Sequence, residues 1–177
     1  MQTKVYQVPS FAIHGGRSNL SDPEVFTHPT YKVSPTASKP VLIGGFFWAT
    51  TAPSGASNEI QDQGWADGTG SGLPAGFAGY QPTYALASTA TDTLTVPAGQ
   101  VILGLEKTAR YVLSATTPTV GQKVFATLAD GSVQFGAAGA TISGAIETDF
   151  VVKTVTSALD VSSGSEVTKA WVEISNL

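Results

Sequence analysis

Apolar and polar residues alternate most regularly between Thr91 and Leu177, in short runs separated by Gly, Pro and Asp. A period of two is what a half-buried strand requires, because successive side chains point to opposite faces. In KAWVEISNL, Val172 and Ile174 oppose Trp171, Glu173 and Ser175. In TISGAIETDFVVKTV, Ile142, Ile146, Phe150 and Val152 share one parity, while Glu147, Asp149 and Lys153 share the other. TDTLTV and QVILGL flank Pro97-Ala98-Gly99, which predicts a hairpin with a three-residue connection. The clearest hairpin is KVFATLADGSVQF. A two-residue turn at Asp130-Gly131 pairs Leu128 with Val133 and Ala126 with Phe135. It places Val124, Ala126, Leu128, Val133 and Phe135 on one face, and Lys123, Thr127, Ser132 and Gln134 on the other, with Phe125 as the exception. The pattern predicts an all-β chain, an antiparallel β-sandwich or β-barrel.

Upstream the pattern changes. Residues 1–40 carry Pro9, Pro23, Pro29, Pro35 and Pro40, too closely spaced for a helix of normal length. Apolar residues are nevertheless spread through them, among them Tyr6, Phe11, Ile13, Phe26 and Tyr31. This predicts an extended proline-rich arm whose anchors need a surface to bury them. Residues 41–177 then form a single β domain. Its first element, VLIGGFFWATT, reads as a buried strand with a bend at Gly44-Gly45. Residues 52–82, dense in Gly, Ser and Pro, read as a long loop, with Trp65, Phe77 and Tyr80 available to pack.

Composition narrows the classes. Only 12% of residues are charged, about half the ordinary fraction, which suits strands covered on both sides and hints at assembly. There is no cysteine, so disulfides and thiolate metal sites are excluded. A net charge of −4 offers no basic stripe, so no nucleic-acid partner is expected. No run of about 18 apolar residues occurs, so no membrane-spanning helix is expected. MQTKVYQVPSF lacks the apolar core of a signal peptide, which predicts synthesis in the cytoplasm.

Candidate chemistry is sparse. His14 and His28 stand fourteen residues apart among prolines and match no zinc-ligand spacing. Glu59, Asp62 and Asp67 lie in the glycine-rich stretch without a calcium-loop ladder. Gly68–Gly72 lacks the lysine of a phosphate loop. No catalytic residue, metal or cofactor is assigned. The weakest alternative is a polysaccharide hydrolase using Asp62 and Asp67. A stronger one is a receptor- or carbohydrate-binding module of a phage fibre or adhesin, stacking a glycan on Trp65 and Tyr80.

The succession VPAGQVILGLEK, GQKVFATLADGSVQFGAAGATISGAIETDFVV and a terminal V-x-I strand resembles the capsid decoration, or cement, proteins of tailed bacteriophages. The resemblance covers roughly Thr91 to Leu177, and more loosely the proline-rich start. It implies a non-enzymatic structural virion protein that binds the outer capsid surface and stabilises contacts between capsomers. Its implied partners are the major capsid protein and further copies of itself, as a homotrimer in preference to a homodimer. Tyr6, Phe11, Ile13, Phe26 and Tyr31 become the expected capsid- or subunit-contacting residues. The stretch at 52–82 has no counterpart in the resemblance.

Overall fold

The segment 46–50 reads Phe-Phe-Trp-Ala-Thr, and its first three side chains are all buried. A strand whose consecutive residues are buried must have a core on each side. The rest of the chain supplies those two cores. The computed structural model describes residues 14–18, 24–54, 63–81, 95–160 and 167–177, and their regular structure is entirely β.

One layer is a six-stranded sheet built from β1 (Val25–Phe26), β2 (Thr30–Val33), β4 (Phe46–Thr50), β5 (Gln63–Asp67), β6 (Gly76–Ala78) and β8 (Gly104–Lys107). Their order is β1-β8-β6-β4-β5-β2, and only β2 and β5 run parallel. The sheet curls into a nearly closed barrel. The chain leading into β8 meets the outer edge of β2, with Val33 N–H donating to Gln100 O at 2.9 Å and Ile102 N–H to Tyr31 O at 2.9 Å. A small pair, β3 (Val41–Leu42) with β7 (Thr95–Val96), lies beside it.

The second layer is a five-stranded antiparallel sheet of β9 (Ala109–Ser114), β10 (Lys123–Thr127), β11 (Val133–Gly136), β12 (Ala145–Asp160) and β13 (Val167–Ser175). Its order is β11-β10-β12-β13-β9. One core lies between the layers, where Phe46, Trp48, Phe77 and Leu105 meet Val112, Val124, Phe150, Val172 and Ile174. Phe46 stands edge-on to both Phe77 and Phe150, with ring centroids 5.3 and 5.5 Å apart. The other core gathers Val33, Val41, Ile43, Phe47, Ala66, Ala78, Val96 and Ile102. Phe47 therefore points opposite to Phe46 and Trp48, as a period of two demands.

The structure agrees with the patterns read for β12 and β13, where Phe150, Val152, Val172 and Ile174 face the shared core. The strand at 41–51 also exists, broken as expected. Gly44 adopts φ +76°, and this bend sends β3 and β4 into different sheets.

Several expectations need correction. The stretch 52–82 is not one long loop, because it supplies β5 and β6, and Phe77 is fully buried. Glycine is used there for close packing: a Cβ at Gly70 would meet the Trp48 ring. The turn at Pro97–Gly99 forms, with Gly99 at φ +79°, but it joins no hairpin. β7 pairs with β3, and residues 99–102 bond to β2 instead. The β10–β11 hairpin is real, yet its register is two residues away from the expected one, pairing Ala126 with Val133 and Val124 with Phe135. A shift of two preserves the faces. It lengthens the loop to Leu128–Gly131, whose main chain bonds to the barrel layer. Gly131 O accepts Phe46 N–H at 2.8 Å and Leu128 O accepts Gly70 N–H at 3.1 Å. Phe125, the exception to the pattern, is buried against Gly136.

The segment read as an arm is divided. Residues 1–13 lie outside the described residues. From Glu24 to Pro40 the chain is part of the body, with Val33 in the barrel core and β1 and β2 forming the two edges of the six-stranded sheet.

Gly131 and Gly139 share φ +73°, but a Cβ at Gly131 would collide with the Phe46 carbonyl, whereas at Gly139 it would meet open space. Gly139→Ala is expected to cost only the left-handed backbone penalty, about 1–2 kcal/mol. Gly131→Ala should cost markedly more in denaturant unfolding; equal losses would contradict the docking of this loop on β4.

Candidate interaction surfaces

Sheet edges are where another chain can add, so each edge of the five-stranded sheet matters. The β9 edge is covered from within. Residues 15–18 run along it, with Gly15 N–H donating to Tyr111 O at 2.8 Å, Tyr111 N–H to Gly16 O at 3.0 Å, and Ser18 N–H to Ala109 O at 3.0 Å. The next donor, Leu113 N–H, is met by the His14 imidazole at Nδ1, 2.9 Å away. Gly15, at φ +72°, is packed against Gly44. His14 and the two glycines thus form a tight junction between the N-terminal segment and the β3–β4 bend.

A buried polar seam secures this junction. The Arg110 side chain is only 4% exposed and lies 2.6 Å from the Glu24 carboxylate. Thr108 Oγ1 donates to Glu24 at 2.9 Å and accepts from Arg110 Nε at 3.0 Å. Burial pulls the Arg110 guanidinium below its ordinary value, Glu24 pulls it back, and an arginine stays charged either way. Glu173, buried on the other face, bonds Ser18 and Thr154. Alternation opposes Glu173 and Ser175 to the core residues Val172 and Ile174, yet both are buried.

The expected contact residues separate. Tyr6, Phe11 and Ile13 lie outside the described residues. Phe26 is 59% exposed on the edge strand β1, with Val25 and Val101 also exposed. Phe26 and Val101 line one shallow depression together with Thr30 and Gln81. Tyr31 is half-buried and stands edge-on to Phe47 at 5.2 Å, so it serves the barrel interior.

Trp65 and Tyr80 are not brought together. Trp65 occupies the face of β5 opposite Ala66, with the Lys32 ammonium over its ring at 5.6 Å. Tyr80 packs against the core that contains Ala66. Alternation along β5 therefore separates the two rings by the sheet. Asp67, the described member of the proposed carboxylate pair, accepts main-chain N–H groups from Ser38, Lys39 and Thr69 at 2.6, 3.1 and 3.1 Å. It ties the β2–β3 connection to β5; Asp62 lies outside the described residues. Among the described residues no group of three or more His, Asp or Glu could hold a metal ion.

One depression among the described residues was not foreseen in the sequence. A groove of about 550 Å³ separates the end of β9 from β11, with Leu42, Gly44, Gly45 and His14 among its lining residues. It is created by tertiary juxtaposition of elements distant in sequence, so no local motif announces it.

A family model described as XM1 gp53 minor capsid protein matches residues 1–172 of the chain. The chain matches no curated protein and no solved structure.

His14 gives the N-terminal junction a pH dependence. Burial holds the imidazole below its ordinary value, with a hydrogen bond to the Ile43 main chain opposing. Protonation at Nδ1 would also displace the Leu113 N–H. The unfolded chain therefore binds the proton more readily, and stability falls as pH drops below about 6.5. His14→Asn, which keeps an acceptor for Leu113, is expected to flatten the fall in unfolding midpoint between about pH 7 and pH 5. Parallel profiles for the two proteins would remove His14 as the cause.

Proposed function

The chain belongs to the XM1 gp53 minor capsid protein family, and we propose that it is a non-enzymatic structural protein on the outer surface of a phage capsid, where it stabilises contacts between capsomers. The match across residues 1–172 carries this reading, since it embraces both sheets and the segment before His14. The construction supports it. Two layers share one wall, polar groups are consumed in structural ties, and apolar surface is left at Phe26 and Val101 on an edge of the barrel. Such surface is what a protein with a permanent partner retains.

On this reading the partners are the major capsid protein and other copies of the chain, assembled as a homotrimer in preference to a homodimer. Closed symmetry would place the assembly on a local symmetry axis of the shell, and many copies on one shell gain from avidity. Phe26 provides a contact from the folded body. Tyr6, Phe11 and Ile13 provide contacts from the segment that precedes it. A truncation that tests the segment must stop before His14, because a longer one would remove β1, β2 and the Val33 core contact.

Phe26→Ser and deletion of residues 1–13 are each expected to weaken binding to emptied, expanded shells by about tenfold or more. Thermal unfolding of Phe26→Ser should be unchanged, since the side chain is exposed. Undiminished shell binding by both variants would refute the assigned contacts.

A further inference from the structure

The two edge strands of the five-stranded sheet face each other across the groove between β9 and β11, and their treatment differs. β9 is covered by residues 14–18 up to Leu113, where the covering ends in a side chain. β11 is four residues long and, among the described residues, pairs with β10 alone. Its free donors can be assigned from the ladder. Thr127 N–H donates to Ser132 O, so Ser132, Gln134 and Gly136 direct their main-chain groups at β10. Val133 and Phe135 therefore direct theirs away from β10, at the open edge. Across the groove, Leu113 presents its carbonyl on the same outward side of β9 as its N–H.

These walls want a particular occupant. Main-chain groups at the β11 edge and at the end of β9 are satisfied by an extended peptide, which carries donors and acceptors along both of its edges. Among the described residues no Asp, Glu, Lys or Arg lines the groove, so the inserted side chains must be uncharged. No lysine and no proline, which would blunt a free edge, occurs in β11. Among the described residues the covering of β9 ends at His14, whose imidazole stands where a main-chain acceptor would continue the ladder.

We propose that this groove accepts an extended, uncharged segment of the major capsid protein, which adds as a strand to the open edge of β11. The inference rests on the capsid-binding reading given above and names the surface through which it acts. The added strand would bridge β11 and β9, closing the five-stranded sheet around the core that it shares with the barrel. Shell binding would then be coupled to the stability of the protein, because the bound strand favours only the folded state.

Two variants test the groove; Val133 is half-buried against the shared core, so its variant is compared with the wild type only after an unfolding curve shows that it is folded. Val133→Pro removes an outward N–H from an edge strand, a position where proline is tolerated. Ala115→Lys puts a charge at the exposed mouth of the groove. The probes are emptied, expanded shells and overlapping 12-residue peptides that tile the capsid subunit. One tile should bind the wild-type protein saturably and raise its melting temperature. Both variants should lose that binding, and should bind shells about tenfold more weakly. If wild-type protein binds shells and both folded variants bind them equally well, the groove is not the site, while the capsid-binding reading stands. If wild-type protein binds no shells, the capsid-binding reading itself fails. If Ala115→Lys instead dissolves an oligomer of the free protein, the occupant is a second copy, and the assignment to the capsid subunit is overturned.

Discussion

Everything in this fold depends on β4 being a wall shared by two cores. Phe46 and Trp48 face the five-stranded sheet and Phe47 faces the barrel interior, all from three consecutive residues. Neither sheet can slide along the other without withdrawing one of these aromatic rings. β6 repeats the arrangement with Phe77 on one side and Ala78 on the other. Main-chain bonds add to the constraint, since the loop of the β10–β11 hairpin accepts the Phe46 N–H. Close-packed interiors transmit displacement rather than absorb it, so the two layers behave as one body.

The polar seam does different work. Arg110, Thr108 and Glu24 are buried together, and Glu173 is tied to Ser18 and Thr154. A buried ion pair adds little net stability over apolar packing, but losing one partner leaves an uncompensated charge. The seam thus penalises any arrangement in which the N-terminal segment leaves the β9 edge. It fixes that segment in place and with it the groove on whose wall His14 sits.

Much of the β structure was legible in the sequence, because alternation reports burial directly. Phe150, Val152, Val172 and Ile174 fell on the core face for that reason, and Gly44-Gly45 marked a true bend. What the pattern missed was set by long-range contacts. Gly-rich segments hid β5 and β6, whose glycines serve close packing against Trp48 and Tyr31 rather than disorder. The hairpin register moved by two because its loop bonds to a distant sheet, a preference that Asp130-Gly131 does not reveal. Pro97–Gly99 turned as expected, yet its flanking strands found other partners. The candidate surface was harder still. Phe26 could be named as a candidate anchor, but its exposure, and the groove between β9 and β11, exist only after folding.

The proposed capsid-binding role rests on the family match, and the shared wall and the secured segment at residues 14–18 suit it. The measurement that tests this most directly is co-sedimentation of the purified chain with emptied, expanded shells, together with its mass in solution. Saturable binding at a fixed ratio to the capsid subunit, by a protein that is itself a trimer or dimer, is the predicted result. A monomer that stays in the supernatant at every shell concentration would contradict it.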